Sequence, residues 1–261
     1  MEEKKYSVLS YDIGNYEILK EVKYKSPNAE YIFVTDNTGL TSSTWDIKYV
    51  ENPYPEDPFY LCYDIRFNPF KYVNTDIVLR IDGSMQVDGN TDELIDIFNA
   101  GGYDTCNVIH PVRNTIYDEM VVWCQCRGYS VEQANRVLSF MANYEGYDVK
   151  GYKGLFQYNF QIQRNNKVNN DMNSMIHSML LYLAEDGKRI ERIDQTVASF
   201  VINKYFQSRI KILPVDQRIA FSKYFSWFAH KSNYKFPDYG ELIEPYMFNE
   251  PIDTNTVDYF G

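Results

Sequence analysis

The chain has little of what would settle its class by inspection. No stretch of its 261 residues has the apolar length of a signal peptide or membrane span, and "MEEKKYSVLSYDIGNYE" runs from charged residues straight into a strand-like segment. The expectation is a protein without a transmembrane segment and with a cytoplasmic address. Basic residues are few and unclustered: 26 Lys and Arg stand against 36 Asp and Glu, a net charge of −10. Nothing here would neutralise a phosphate backbone, so nucleic acid is excluded as a partner. The four cysteines, at 62, 106, 124 and 126, form no C-x-x-C pair. A lone C-x-C is a poor zinc signature, so these read as reduced structural thiols. Repeats, low-complexity tracts and Gly/Ser linkers are absent, which favours one domain over 1–261, with a core from about 6 to 213 and an aromatic-rich extension over 214–261. Aromatics, by contrast, are plentiful: 24 Tyr and 16 Phe can fill a core and also make platforms for sugars and bases.

Strand signals recur along the first half. "YSVLSY" (6–11), "AEYIFVTDN" (29–37), "TDIVLRID" (75–82) and "DTCNVIHP" (104–111) are β-rich runs that end on polar residues. Prolines 53, 55 and 58 forbid a long helix between the second and third, and Pro69 interrupts any helix begun before it. Thr91 with acids at 92 and 93 starts a short helix that Gly101-Gly102 end. Ser130 and Gln133 form a capping box ahead of apolar positions 134, 137, 138 and 141. Met172, Met175, Ile176, Met179, Leu180 and Leu183 share one face of a second long helix that runs to Gly187. "RIDQTVASFVINKYF" is a third, "RIKILP" a closing strand, and the tail reads as loops and short helices over a crevice. The pattern is α/β: a mixed sheet flanked by helices, with a ligand crevice at the carboxyl ends of the strands.

"IVLRIDGSMQVDGN" raises a specific question. Asp82 ends the most apolar strand, where an uncompensated carboxylate is costly. "SYDIGNYE", "YIFVTDN", "STWDI", "IDGSMQV", "VIHPVRNTIYDEM", "IQRNN" and "IDQTVASFVI" follow one another in the order expected of a GT-A-type glycosyltransferase. The chain resembles the bacterial and viral surface-polysaccharide glycosyltransferases related to the plant mucilage and turgor-regulation glycosyltransferase-like proteins. The resemblance covers roughly residues 6 to 213 and implies a GT-A-like, Rossmann-like sheet. It further implies a nucleotide-sugar donor, with uridine as the expected base, and a glycan acceptor.

On that reading Asp82 supplies an oxygen to a divalent cation, Mn²⁺ or Mg²⁺, that bridges the donor's phosphates. The Asp-x-Asp common in such enzymes is replaced by Asp82-Gly83-Ser84, with Asp88 as a possible substitute acid. Gly83 would allow close approach of backbone to phosphate. Tyr11 offers a ring to the base, Gly14 a tight turn, and Asp36 an acceptor for base or ribose. By similarity Arg66 faces the diphosphate. His110 and Arg113 suit a sugar hydroxyl and an anionic group, although an internal Arg–Glu network that shapes the loop accounts for them equally well. Arg164 and Asn165, within "QRNN", are donors for a hydroxyl-rich ligand or ordinary loop residues. Asp194 and Gln195 take the catalytic place by similarity, as acceptor base or sugar contact; the plain alternative is a helix-start acid. Similarity also draws His230 to the metal, against a packing role. Two rival functions remain: a noncatalytic nucleotide- or carbohydrate-binding protein of the same fold, and a glycoside hydrolase with two carboxylates about 5 to 10 Å apart.

Overall fold

The computed structural model describes residues 5–110, 112–127, 130–184, 193–215, 223–228 and 230. The runs of apolar and β-branched residues fold as strands β1 (Tyr6–Asp12), β2 (Ala29–Thr35), β3 (Asp46–Tyr49), β4 (Ile77–Ile81), β5 (Met85–Val87), β6 (Thr105–Ile109), β7 (Phe156–Arg164), β8 (Ile212–Val215) and β9 (Phe225–Trp227). Seven of them form one sheet in the order β3-β2-β1-β4-β7-β6-β8, and β5 pairs with β9 in a small second sheet. Within the large sheet only β7 runs antiparallel to its neighbours. The architecture is α/β with a mostly parallel mixed sheet, consistent with a Rossmann-like fold.

Both faces of the sheet are covered, which is why its strands are apolar on both sides. On one face Tyr6, Val8, Phe33, Leu79 and Ile81 pack with Leu94, Ile95 and Phe98 of helix α2 (Asp92–Ala100). On the other, Leu9, Tyr11, Val34 and Val78 meet Leu61 and Ile65 of α1 (Phe59–Phe67). A larger core joins α3 (Ile116–Arg127), α4 (Val131–Ser139), α5 (Lys167–Leu183) and α6 (Asp194–Val201) to Phe156 and Tyr158 of β7. The helices α4 and α6 each continue through a π-helical turn, Phe140–Tyr144 and Ile202–Phe206.

Several local signals act as expected. Ser130 accepts the amide hydrogen of Gln133 at 3.0 Å, and Gly102 ends α2 with a φ of 60°. Others do not. Thr91 makes no cap; its hydroxyl bonds Tyr6 at 2.6 Å and Ser26 at 2.9 Å, tying α2 to β1. Within α5, Met172, Ile176, Leu180 and Leu183 are buried while Met175 is exposed. The expected helix end at Gly187 and the tail after 230 lie outside the described residues.

The order of the strands creates the crevice. From β1 the chain steps outward through β2 and β3, then crosses back to place β4 on the opposite side of β1. That reversal is a topological switch point, where connections leave in opposite directions and open a gap beyond the carboxyl ends of the strands. Asp12 and Asp82 stand at the two lips of this gap.

Candidate functional site

Asp82 follows the last residue of β4, and its amide is fixed by the Asn159 carbonyl at 2.9 Å. Two guanidiniums answer the question of its charge. Arg66, from the last turn of α1, donates to Asp82 Oδ1 at 2.9 Å, and Arg80 donates to the same oxygen at 3.2 Å. Arg80 is fully buried, and its other contact is the Tyr158 carbonyl at 2.6 Å. Arg66 also donates through Nε to the Tyr11 hydroxyl at 2.9 Å and through its remaining terminal nitrogen to Asp194. Four segments far apart in sequence therefore meet in one cluster, Tyr11, Arg66, Asp82 and Asp194, with Arg80 beneath it. Burial and the neighbouring guanidinium of Arg66 lower the pKa of Arg80, and burial pushes that of Tyr11 up to about 12, which keeps the phenol a neutral hydrogen-bonding group.

The loop after β1 forms the other lip. Gly14 has a φ of 79° and Asn15 one of 53°, the left-handed turn expected of a glycine here. The Gly14 amide donates to Asp36 Oδ1 at 2.9 Å, and Asn37 donates to Asn15 at 2.8 Å, so the loops after β1 and β2 are stitched together. Asp12 accepts the amides of Tyr16 and Glu17 at 3.0 Å each. Its burial nonetheless raises its pKa to about 6.

Several expected roles take a different form. Tyr11 is only 6 % exposed and packed in the core, so its ring is no open platform for a base; it buttresses Arg66. Gly83 is needed by the protein itself, since a Cβ there would lie 2.7 Å from the Tyr11 carbonyl oxygen. Ser84 is buried and receives the Trp227 indole N–H at 3.1 Å, which anchors β9. Asp88 is held by Lys23 at 3.0 Å and by Ser226. His230 reaches the crevice, but its ring meets Glu17 and packs 5.4 Å from Tyr16 instead of joining Asp82.

His110 and Arg113 belong to an internal network. Arg113 bonds the His110 ring at 2.7 Å and pairs with buried Glu119, which also accepts Trp123 and Gln195 at 2.8 and 2.9 Å. Burial and then the Arg113 charge push the His110 pKa down to about 2, so the imidazole is neutral. Gln195 thus braces α6 against α3, beside Asp194. Arg164 and Asn165 are not brought to the crevice. Arg164 pairs with Ile77, at the far end of β4 from Asp82, roughly 16 Å away at about 3.3 Å per residue. There it bonds Asn99 at 2.9 Å, and Asn165 bonds the Asp76 carbonyl at 2.8 Å.

Sequence reasoning missed two members. Arg80 looked like one polar residue inside an apolar strand. Asn159 sits where β7 carries three residues between its pairings of Gln157 with Val108 and Gln161 with Asn107. It is 7 % exposed, and among the described residues neither atom of its side-chain amide has a hydrogen-bond partner. Such a group calls for a polar partner beyond the described residues, a water included.

A divalent cation does not fit this donor set as it stands. Asp82 is already shared by two guanidiniums, and a doubly charged ion about 4 Å from either would meet roughly 8 kcal/mol of repulsion at an effective dielectric of about 20. Among the described residues no three His, Cys, Asp or Glu side chains converge on a metal position. No helix among them is long and apolar enough to cross a membrane. No protein-family model matches the sequence, and no curated protein matches it.

Proposed function

We propose that this protein is a glycosyltransferase that moves a sugar from a nucleoside-diphosphate sugar, uridine-linked, to a glycan acceptor in surface polysaccharide or glycoconjugate synthesis. The observation that carries this reading is the convergence of Tyr11, Arg66, Asp82 and Asp194 at the switch point of a mostly parallel sheet. A crevice there is where α/β sheets receive nucleotides. The stitched loops, with Asp36 at their junction, suit the nucleoside. Arg66 suits the diphosphate, because a planar fork of N–H donors pairs with two phosphate oxygens.

In the transfer, the acceptor hydroxyl attacks the anomeric carbon, the bond from that carbon to the phosphate oxygen breaks, and the nucleoside diphosphate departs. Asp194 faces the reacting sugar. With inversion it takes the acceptor's proton; with retention it contacts the donor sugar and the departing phosphate oxygen takes that proton. A second reading has an observation in its favour: Asp194 is paired with Arg66 and Gln195 with Glu119, so both catalytic candidates already hold structural partners, as in a noncatalytic nucleotide-binding protein. A melting-temperature panel of nucleotide sugars, paired with an assay for released nucleoside diphosphate, tests both. Stabilisation with turnover supports the enzyme and stabilisation without turnover the binding protein, since a ligand of the native state raises stability by mass action. Stabilisation by free glycans alone contradicts the donor site.

A further inference from the structure

We propose that Arg66 is an exchangeable clasp: it holds Asp194 in the empty crevice and passes to the donor's diphosphate when that binds, releasing Asp194 and making a divalent cation unnecessary. This inference rests on the nucleotide-sugar reading.

The three partners of Arg66 are not equivalent. Tyr11 lies within β1 and is locked in the core, while Asp82 at the end of β4 is held a second time by buried Arg80. Asp194 is the first residue of α6 and comes from 128 positions away in the chain; among the described residues Arg66 alone holds it in the cluster. It is the partner that can be replaced without dismantling the strand ends. A diphosphate presents the same geometry to the guanidinium as a carboxylate, with more charge, so exchange is chemically natural. Arg66 also has the access it needs, with 15 % of its side chain exposed, against 2 % for Arg80.

Charge decides the rest. Arg66 and Arg80 balance Asp82 and Asp194 in the empty site. Arg80, without that access, stays on Asp82 and neutralises it, so replacing Asp194 by a diphosphate leaves the charge of Arg66 facing phosphate, in the place where a bridging cation stands elsewhere. The other acids of the rim are engaged: Asp12 by two backbone amides, Asp36 by Gly14 and Asn52, Glu17 by His230. Asp194, once free, keeps its position at the start of α6 beside the leaving group. Donor binding would thereby uncover the group that faces the acceptor.

The test is calorimetric titration of uridine diphosphate into the wild type and the variants Arg66→Gln, Arg66→Lys and Asp194→Asn, each with chelator and with Mn²⁺, folding being checked by circular dichroism. Wild type should bind equally well in both conditions. Arg66→Gln should weaken binding by about tenfold or more, and Arg66→Lys, which keeps the charge without the fork, should fall between. Asp194→Asn should tighten it by roughly threefold to tenfold, because the competitor has lost its charge. Binding that appears only with Mn²⁺ overturns the clasp and leaves the nucleotide-sugar reading intact. Unchanged or weaker binding in Asp194→Asn also overturns the clasp. An absence of heat from folded wild type in both conditions overturns the clasp and that reading together.

Discussion

Replacing Gly83 by alanine is the sharpest test of how the strand ends are built. The added Cβ would lie 2.7 Å from the Tyr11 carbonyl oxygen and 3.4 Å from the Glu17 side chain. The first contact is to backbone on a neighbouring strand, so relief requires β1 and β4 to separate by several tenths of an ångström at the lip of the crevice. Overpacking of this kind costs about 1–3 kcal/mol. Against it stands a gain of about 0.4–1 kcal/mol from the stiffer unfolded chain. The net is a loss of about 1–2 kcal/mol, or a melting temperature lower by roughly 2–8 °C for a chain of this size. Gly39→Ala is the control, an identical chemical change at an exposed position whose nearest contact is a side-chain oxygen at 3.4 Å, and it should melt at or slightly above the wild type. Differential scanning calorimetry on the three proteins reads both. If Gly83→Ala melts no lower than Gly39→Ala, the strand ends are looser than the 2.7 Å approach requires, and the packing of this lip is wrong.

Further outcomes follow from the same geometry. His110 has a folded pKa far below its unfolded value near 6.5, so its contribution to stability is complete above that value and is lost as pH falls. His110→Gln should therefore flatten the decline in melting temperature between pH 6.5 and 4, and an unaltered slope would contradict its neutral burial. Asp12 acts in the opposite sense: its folded value of about 6 exceeds the unfolded 3.8, so its contribution is lost as pH rises through 6. Asp12→Asn, which can still accept both amides, should gain about 1–2 kcal/mol relative to wild type between pH 4.5 and pH 7, measured by urea unfolding, and no gain would place Asp12 in contact with solvent. Glu119→Ala strips an acceptor from Arg113, Trp123 and Gln195 and should lower the melting temperature by on the order of 6–12 °C, a loss of about 3 kcal/mol; a surface-like effect would show that the network braces nothing. Asp194→Asn should bind the donor more tightly than wild type while turnover, followed by release of uridine diphosphate, falls by about two to four orders of magnitude if Asp194 is the base. Unchanged turnover would return it to a helix-start acid.

The strands that position the crevice were legible because they are apolar runs ended by polar residues, and five of them lie where those runs predict. The parts not read in advance had signals of their own. "FQYNFQIQ" alternates apolar and polar residues at period two and forms most of β7. "TIYD" is a capping box, with Asp118 N–H to Thr115 at 3.0 Å and Thr115 N–H to Asp118 at 3.1 Å, and it starts α3. Helix α1 fits between Pro58 and Pro69 because nine residues suffice for it. The edge strand β3 carries little apolar content and pairs on one side only. For the site, the sequence singled out Tyr11, Arg66, Asp82 and Asp194 one at a time. It could not show that one guanidinium joins three of them, because that contact spans segments up to 128 residues apart. Nor could it show that Arg164 lies at the opposite end of the sheet, since that depends on β7 running antiparallel.

The most direct measurement of the central claim is amide hydrogen exchange by mass spectrometry, with and without uridine diphosphate. The account predicts slower exchange in the segments 12–17, 36–39 and 81–84, the two lips of the crevice, and no change over 164–170. Protection confined to other segments, or none at saturating nucleotide, would contradict a donor site at the switch point.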